Sequence, residues 1–136
     1  MQAGRLMLKR IDALIARGET LTFETTLATQ GFAATIAQAK ARGYQTQLTF
    51  LALQSVELAK ARVAQRVREG GHAIAGEVIE RRYQRGLANF FARYQPCVDR
   101  WEFYDNSQAL PDLLATEQSV LKPERFDAFK AMLKRA

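Results

Sequence analysis

Residues 43–68, GYQTQLTFLALQSVELAKARVAQRVR, pass from a strand pattern into a helix pattern within a dozen positions. YQTQLTFLAL starts by alternating polar with apolar side chains and becomes continuously apolar from Phe50 to Leu53, as a strand does when both faces of a parallel sheet are covered. Ser55 can cap the helix that follows and run it to about Arg68, with Glu57 in its first turn at the positive end of the helix dipole. A strand feeding directly into a helix is half of a βαβ unit. The flanking segments supply the rest.

Upstream, residues 31–42 have helical periodicity and Gly43 closes them, while TLTF at 20–23 is a short β-rich run ending on Glu24. Before it, Leu6, Met7, Ile11, Leu14 and Ile15 recur at helical spacing across residues 3–17, and Gly18 is the stop. Downstream, Gly70-Gly71 interrupts the pattern and a helix resumes over 76–95, where Ile79, Tyr83, Leu87, Phe90 and Tyr94 form one apolar face. WEFYDNS (101–107) is a third strand with a polar turn, LPDLLAT (110–116) a weak edge strand, and KPERFDAFKAML (122–133) a final helix with Pro123 in its first turn. Alternating helices and strands joined by right-handed crossovers predict an α/β fold, a parallel sheet flanked by helices. No internal repeat or linker divides the chain, so residues 1–136 are expected to form one domain.

The 136 residues are 48% hydrophobic and 25% charged, an ordinary globular balance. No apolar run approaches the roughly 18–20 residues that span a bilayer, and Arg5, Lys9, Arg10 and Asp12 break up any signal-peptide core. The expectation is a soluble cytoplasmic protein with no membrane partner. One cysteine, Cys97, and one histidine, His72, exclude an internal disulfide, a cysteine zinc cluster and a histidine-rich metal site. Cys97 sits in an apolar segment and is expected to be a small buried residue.

The net charge of +6 is concentrated in residues 60–100, which carry nine Lys/Arg against four acids. Eight of those nine are arginine, whose planar fork suits bidentate contact with phosphate or carboxylate. Arg62 and Arg66 lie four apart on one helix, and Arg81 and Arg85 four apart on the next, so each pair shares a face. Two arginine-bearing helix ends joined through a double glycine can form a lid over about residues 58–86 that stabilises charge on a transferring phosphoryl group. The alternative is salt bridging to Glu69, Glu77 and Glu80. His72 can contact phosphate or cap a turn.

Glu24, Thr25 and Thr26 fall at a strand end, where ligands bind in parallel α/β sheets. A carboxylate there can hold Mg²⁺ or orient an acceptor hydroxyl, and the threonines can bond a polar substrate; equally, they can simply begin a helix. Asn106 in YDNS offers the donor and acceptor pair that reads a purine edge, although Asp-Asn-Ser turns also arise for conformational reasons.

Together AGRLMLKRIDALIARG, TFETTL, GYQTQLTFLAL, ARVAQRV, GGH, RRYQRGLAN and WEFYDNS resemble, in that order, the zeta-toxin family of P-loop kinases, over roughly residues 3–107. The resemblance implies ATP-dependent phosphotransfer with ATP and Mg²⁺, to a hydroxyl of a small molecule. In the characterised toxins that molecule is UDP-N-acetylglucosamine. By motif, Glu24 matches the acid near metal and substrate, Thr26 a substrate-contacting threonine with Thr25 beside it, and Arg66 the first lid arginine. His72, Arg81, Arg82 and Arg85 occupy the rest of the lid motif, any of which can supply the second phosphate contact. Asn106 and Ser107 fall where the last strand approaches the adenine, and an antitoxin is an implied partner. Ala75 departs from the family, which usually has proline there, and is expected to loosen the lid turn.

Family members also begin with a strand and G-x-x-x-x-G-K-S/T, then an aspartate base; neither motif occurs in this sequence. GHAIAGEV (71–78) places Glu77 where the lysine would be. The expectation is therefore the C-terminal part of such a kinase, incomplete and without efficient transfer on its own. Its strands at 20–24 and 44–53 would be left with unpaired edges at about 1–3 kcal/mol per buried group. The competing reading is a non-catalytic basic module for nucleic acid or an acidic partner. It ranks lower because no aromatic residues interleave with the arginines on the same face.

Overall fold

The computed structural model describes residues 2–133. Helices α1 (Gln2–Ala16) and α2 (Phe32–Ala41) precede strand β1 (Gln47–Ala52). They are followed by α3 (Val56–Arg68), α4 (Gly76–Asn89), a π-helical turn (Phe90–Tyr94), β2 (Arg100–Asp105), β3 (Asp112–Thr116) and α5 (Pro123–Met132). The sheet order is β1-β2-β3. β1 and β2 are parallel, from Gln47 opposite Arg100 to Ala52 opposite Asp105, and β3 is antiparallel to β2, with Asp105 opposite Asp112. This mixed three-stranded sheet with five flanking helices is consistent with the P-loop kinase-like class, and β3 is the edge strand expected at 110–116.

Local chemistry sets the element ends where it was expected to. The Ser55 hydroxyl accepts the Leu58 N–H at 3.1 Å, and Pro123 stands at the start of α5. Gly18 and Gly43 follow α1 and α2 directly. α3 closes at Gly70, which takes φ 99°; Gly70 N–H bonds Val67 O at 3.0 Å and Gly71 N–H bonds Arg66 O at 2.7 Å, a Schellman closure that needs the left-handed residue. The double glycine is thus first a helix stop.

Aromatic rings fill the core. Phe90 and Phe103 are fully buried with centroids 5.1 Å apart, and Phe103 meets Phe126 and Phe129 of α5 at 5.1 and 5.2 Å. The 76–95 face does enter this core: Ile79, Leu87, Phe90 and Tyr94 are all buried, with Tyr83 half-buried beside them.

Three expectations need correction. TLTF does not form a strand: residues 20–24 make no ladder bonds, and Phe23 packs on Phe32 at 5.0 Å. Leu21 and Phe23 still alternate inward between exposed neighbours, so the side-chain pattern of a strand is present without a paired edge. β1 is not covered on both faces. Leu48, Phe50 and Ala52 turn toward the core, but Gln47, Thr49 and Leu51 are exposed, Leu51 by 51%, because only one face of β1 is packed. Cys97 is half-buried rather than enclosed.

Candidate phosphate- and nucleotide-handling site

The segment after Glu24 is shaped by its own hydroxyls. Thr25 Oγ1 accepts Leu27 N–H at 3.1 Å and Thr26 Oγ1 accepts Ala28 N–H at 3.4 Å, turning the chain sharply. Leu27 takes φ 64°, uncommon for a non-glycine residue, with its side chain buried. Three contacts hold it there. Asn89 Nδ2 donates to Leu27 O at 2.8 Å, Tyr94 Oη donates to Thr29 O at 2.6 Å, and Thr26 O lies so close to Gly86 that a Cβ there would stand 2.5 Å from it. Gly86 is therefore a site of backbone approach.

This docking places the acid-and-threonine segment on α4. Arg82 lies four residues before Gly86, and Arg85 four before Asn89, so both flank the stripe that meets the 26–27 backbone. Glu24, Thr25 and Thr26 are exposed, as are Arg81, Arg82 and Arg85. Arg66 is exposed in the last turn of α3, where a cation suits the helix dipole. His72 is exposed in the connecting loop. No hydrogen bond or ion pair among the described residues joins Arg66 or His72 to the 24–26 segment.

The salt-bridge alternative is not what these arginines do. Among the described residues, the carboxylate pair joining α3 and α4 is Lys60–Glu80 at 3.6 Å, and Glu69 accepts from Gln65. Arg62, Arg66, Arg81, Arg82 and Arg85 have no carboxylate within 4.0 Å among those residues. Between the two helices an open cleft of about 370 Å³ is lined mainly by Val63, Val67, Ile74 and Ile79, with Lys60 at its polar edge. Ala75 takes φ −60° and ψ 140°, the geometry a proline would impose, so the turn survives the substitution.

At the carboxyl end of the parallel pair, Asn106 N–H bonds Ala52 O at 2.7 Å and the Asn106 side chain has no partner among the described residues. Ser107 is engaged, its Oγ accepting Gln54 N–H at 2.9 Å. Asp105 is 2% exposed and accepts from Gln54 Nε2 at 2.8 Å, Ser107 N–H at 3.0 Å and Arg125 at 2.7 Å. Burial alone would raise its carboxyl, but the hydrogen bonds from Ser107, Gln54 and Arg125 outweigh that and hold it below the usual range. Tyr83 Oη donates to Leu53 O at 2.6 Å; burial pushes its phenol up to about 12, with Glu57 and Asp105 adding to the effect.

Arg125, Gln54 and Tyr83 escaped the sequence reasoning. Arg125 lies 20 residues from Asp105 in a helix with no motif of its own, and no local signal marks it. The residues present suit a nucleotide's phosphates, which the unpaired arginines can meet, better than a protein-built magnesium cage. Among the described residues no group of three His, Cys, Asp or Glu side chains could hold a metal, so Glu24 would stand alone.

The fold is that of a mixed α/β protein, consistent with the P-loop kinase-like class. The chain belongs to the Zeta toxin family, whose pattern it matches over residues 1–112. It is 29% identical over 83 residues to an uncharacterized protein of Haemophilus influenzae, an alignment covering 61% of this chain and 59% of that one. The match therefore spans about three fifths of the length of that curated relative. No solved structure matches it. Among the described residues, no helix is long and apolar enough to cross a membrane.

Proposed function

We propose that this chain provides the acceptor side and lid of an ATP-dependent phosphotransferase acting on a hydroxyl of a small molecule, with a UDP-amino sugar as the acceptor class. The supporting observation is that the 26–27 backbone docks on the helix carrying Arg82 and Arg85 while those arginines lack carboxylate partners among the described residues. Glu24 orients the acceptor hydroxyl by accepting its hydrogen. Thr25 and Thr26, whose oxygens already accept backbone N–H groups, keep their hydroxyl hydrogens for the substrate. Arg66, Arg81, Arg82 and Arg85, with His72, meet phosphate oxygens and favour the charge that develops on them. Asn106 faces the adenine with Ser107 behind it. The same cations offer a surface to an acidic antitoxin.

Binding tests the reading directly. UDP-N-acetylglucosamine should perturb the 24–26 amides and ATP the 81–85 amides in NMR spectra, and Arg82→Ala should weaken the ATP response. If a single-stranded oligonucleotide binds more tightly than ATP, with a log-log salt slope that drops when Arg81 and Arg85 are neutralised, the chain is a nucleic-acid module instead. When the chain is joined to a G-x-x-x-x-G-K-S/T segment, Arg66→Ala should lower kcat by about 10³-fold or more. An unchanged kcat removes Arg66 from the chemistry.

A further inference from the structure

A dense polar network lies where α5 meets the carboxyl ends of β1 and β2, and two of its members, Lys122 and Arg125, stand beyond the residues that match the family. Asp105 and Asp112 are direct cross-strand partners on β2 and β3. Two carboxylates facing each other across a ladder repel unless a cation intervenes. Arg125 of α5 is that cation: one guanidinium nitrogen bonds Asp105 Oδ2 at 2.7 Å and another bonds Asp112 Oδ2. Lys122 Nζ completes the group on Asp112, at 2.7 and 2.8 Å from its two oxygens. Two acids thus balance two cations across the mouth of the 106–111 loop.

The network ties the start of α5 to β2 and β3 and continues into the turn at 105–107. Asp105 fixes Ser107 N–H, Ser107 Oγ fixes Gln54 N–H, and Gln54 returns to Asp105 through its side-chain amide. Asn106 is bonded through its backbone to Ala52 and carries the unengaged amide side chain. Every partner of the turn is thereby occupied except the side chain that can address a ligand.

We propose that Arg125 is the positioning residue of the base-binding face: by bridging Asp105 and Asp112 it fixes the turn that presents Asn106, making α5 part of the nucleotide site. This rests on the reading that Asn106 faces the adenine. Without Arg125, Asp105 loses one of three donors and its bridge to Asp112, which keeps only Lys122, so the turn loosens while the arginines of α3 and α4 are untouched.

The experiment titrates ATP and inorganic tripolyphosphate, which has the phosphates but no base, into ¹⁵N-labelled wild type, Arg125→Ala and Arg125→Lys. Wild type should show ATP-specific shifts at Asn106 and Ser107 that tripolyphosphate does not produce. Arg125→Ala should lose them and bind ATP about tenfold more weakly, about 1.4 kcal/mol, with the tripolyphosphate response at 81–85 unchanged. Arg125→Lys, which keeps the charge but not the planar fork that spans two carboxylates, should fall between, and it carries the test if the alanine variant does not fold. ATP shifts and affinity unchanged in both variants overturn the role of Arg125 alone. No ATP-specific shift at 106–107 in wild type overturns the adenine reading, and this inference falls with it. Equal weakening of ATP and tripolyphosphate also overturns it, because the effect would then be a general loss of structure.

Discussion

Replacing Gly86 with alanine tests the close approach that brings the 24–26 segment onto α4. A methyl at this position would stand 2.5 Å from Thr26 O, whereas ordinary contact begins at 3.4 Å, and the obstructing atom is backbone. The two chains must therefore separate by about 0.9 Å or the helix must shift by as much, an overpacking that costs about 1–3 kcal/mol. Thr26 has little room to retreat. Its neighbour Leu27 is buried in a left-handed conformation, and Asn89 holds the Leu27 carbonyl. Alanine also gains up to about 1 kcal/mol of helix propensity over glycine, so the net loss should be near 1 kcal/mol, or roughly 3–5 °C in Tm for a chain of this size. Gly76→Ala on the same helix is the control. Its methyl would find only the flexible Lys60 Cε at 3.6 Å, so propensity acts alone and stability should hold or rise. Urea unfolding followed by circular dichroism and by Trp101 fluorescence gives both numbers, and in titrations Gly86→Ala should also weaken the response to UDP-N-acetylglucosamine at 24–26. If both alanine variants stabilise the protein, the approach of Thr26 to α4 is not tight and the site built on it fails.

The remaining predictions concern the lid turn and the acid limb of stability. Ala75 already has the backbone angles of proline and follows a residue outside any helix, so Ala75→Pro should raise stability by about 0.4–1 kcal/mol through the unfolded chain, read as a higher urea midpoint. A lower midpoint would show that residues 72–75 need the freedom proline removes. Asp105, and Asp112 with its bonds from Lys122 and Arg125, have folded carboxyls below their usual range. Their contribution is therefore present above the unfolded value near about pH 4 and is lost as pH falls through the folded values. Asp105→Asn should lower stability at pH 6 yet flatten the decline toward pH 2.5, leaving the parts due to Asp112 and to Asp99, which is also held low by its bonds from Thr46. Parallel pH curves for variant and wild type would refute that assignment.

How far the sequence reaches depends on how local each determinant is. Ser55, Gly43, Gly70 and Pro123 act within a turn of their own positions, so the ends they mark are where the sequence pattern places them. The periodic face of α4 is legible for the same reason, and so is that of α1 at Met7, Ile11, Leu14 and Ile15, although Leu6, expected on the same face, is 66% exposed. A strand is a relation between two segments. Thr20-Leu21-Thr22-Phe23 has the composition and even the alternating burial of a strand, yet with no neighbour to supply N–H and C=O groups it stays unpaired. The apolar run Phe50–Leu53 misleads in the same way, because whether Leu51 is covered depends on whether another element packs on its face of the sheet. Site residues divide along the same line. Arg66, Arg82 and Asn106 stand out through motif and charge, and helical spacing groups the arginines. Arg125 acquires its place only when α5 folds back across the β2–β3 mouth, and Gly86 acquires its meaning only when Thr26 arrives against it. A group that touches ligand tends to announce itself by its chemistry. One that holds another group in place is visible only in the contact, and for that reason the positioning residues of this chain had to come from the structure.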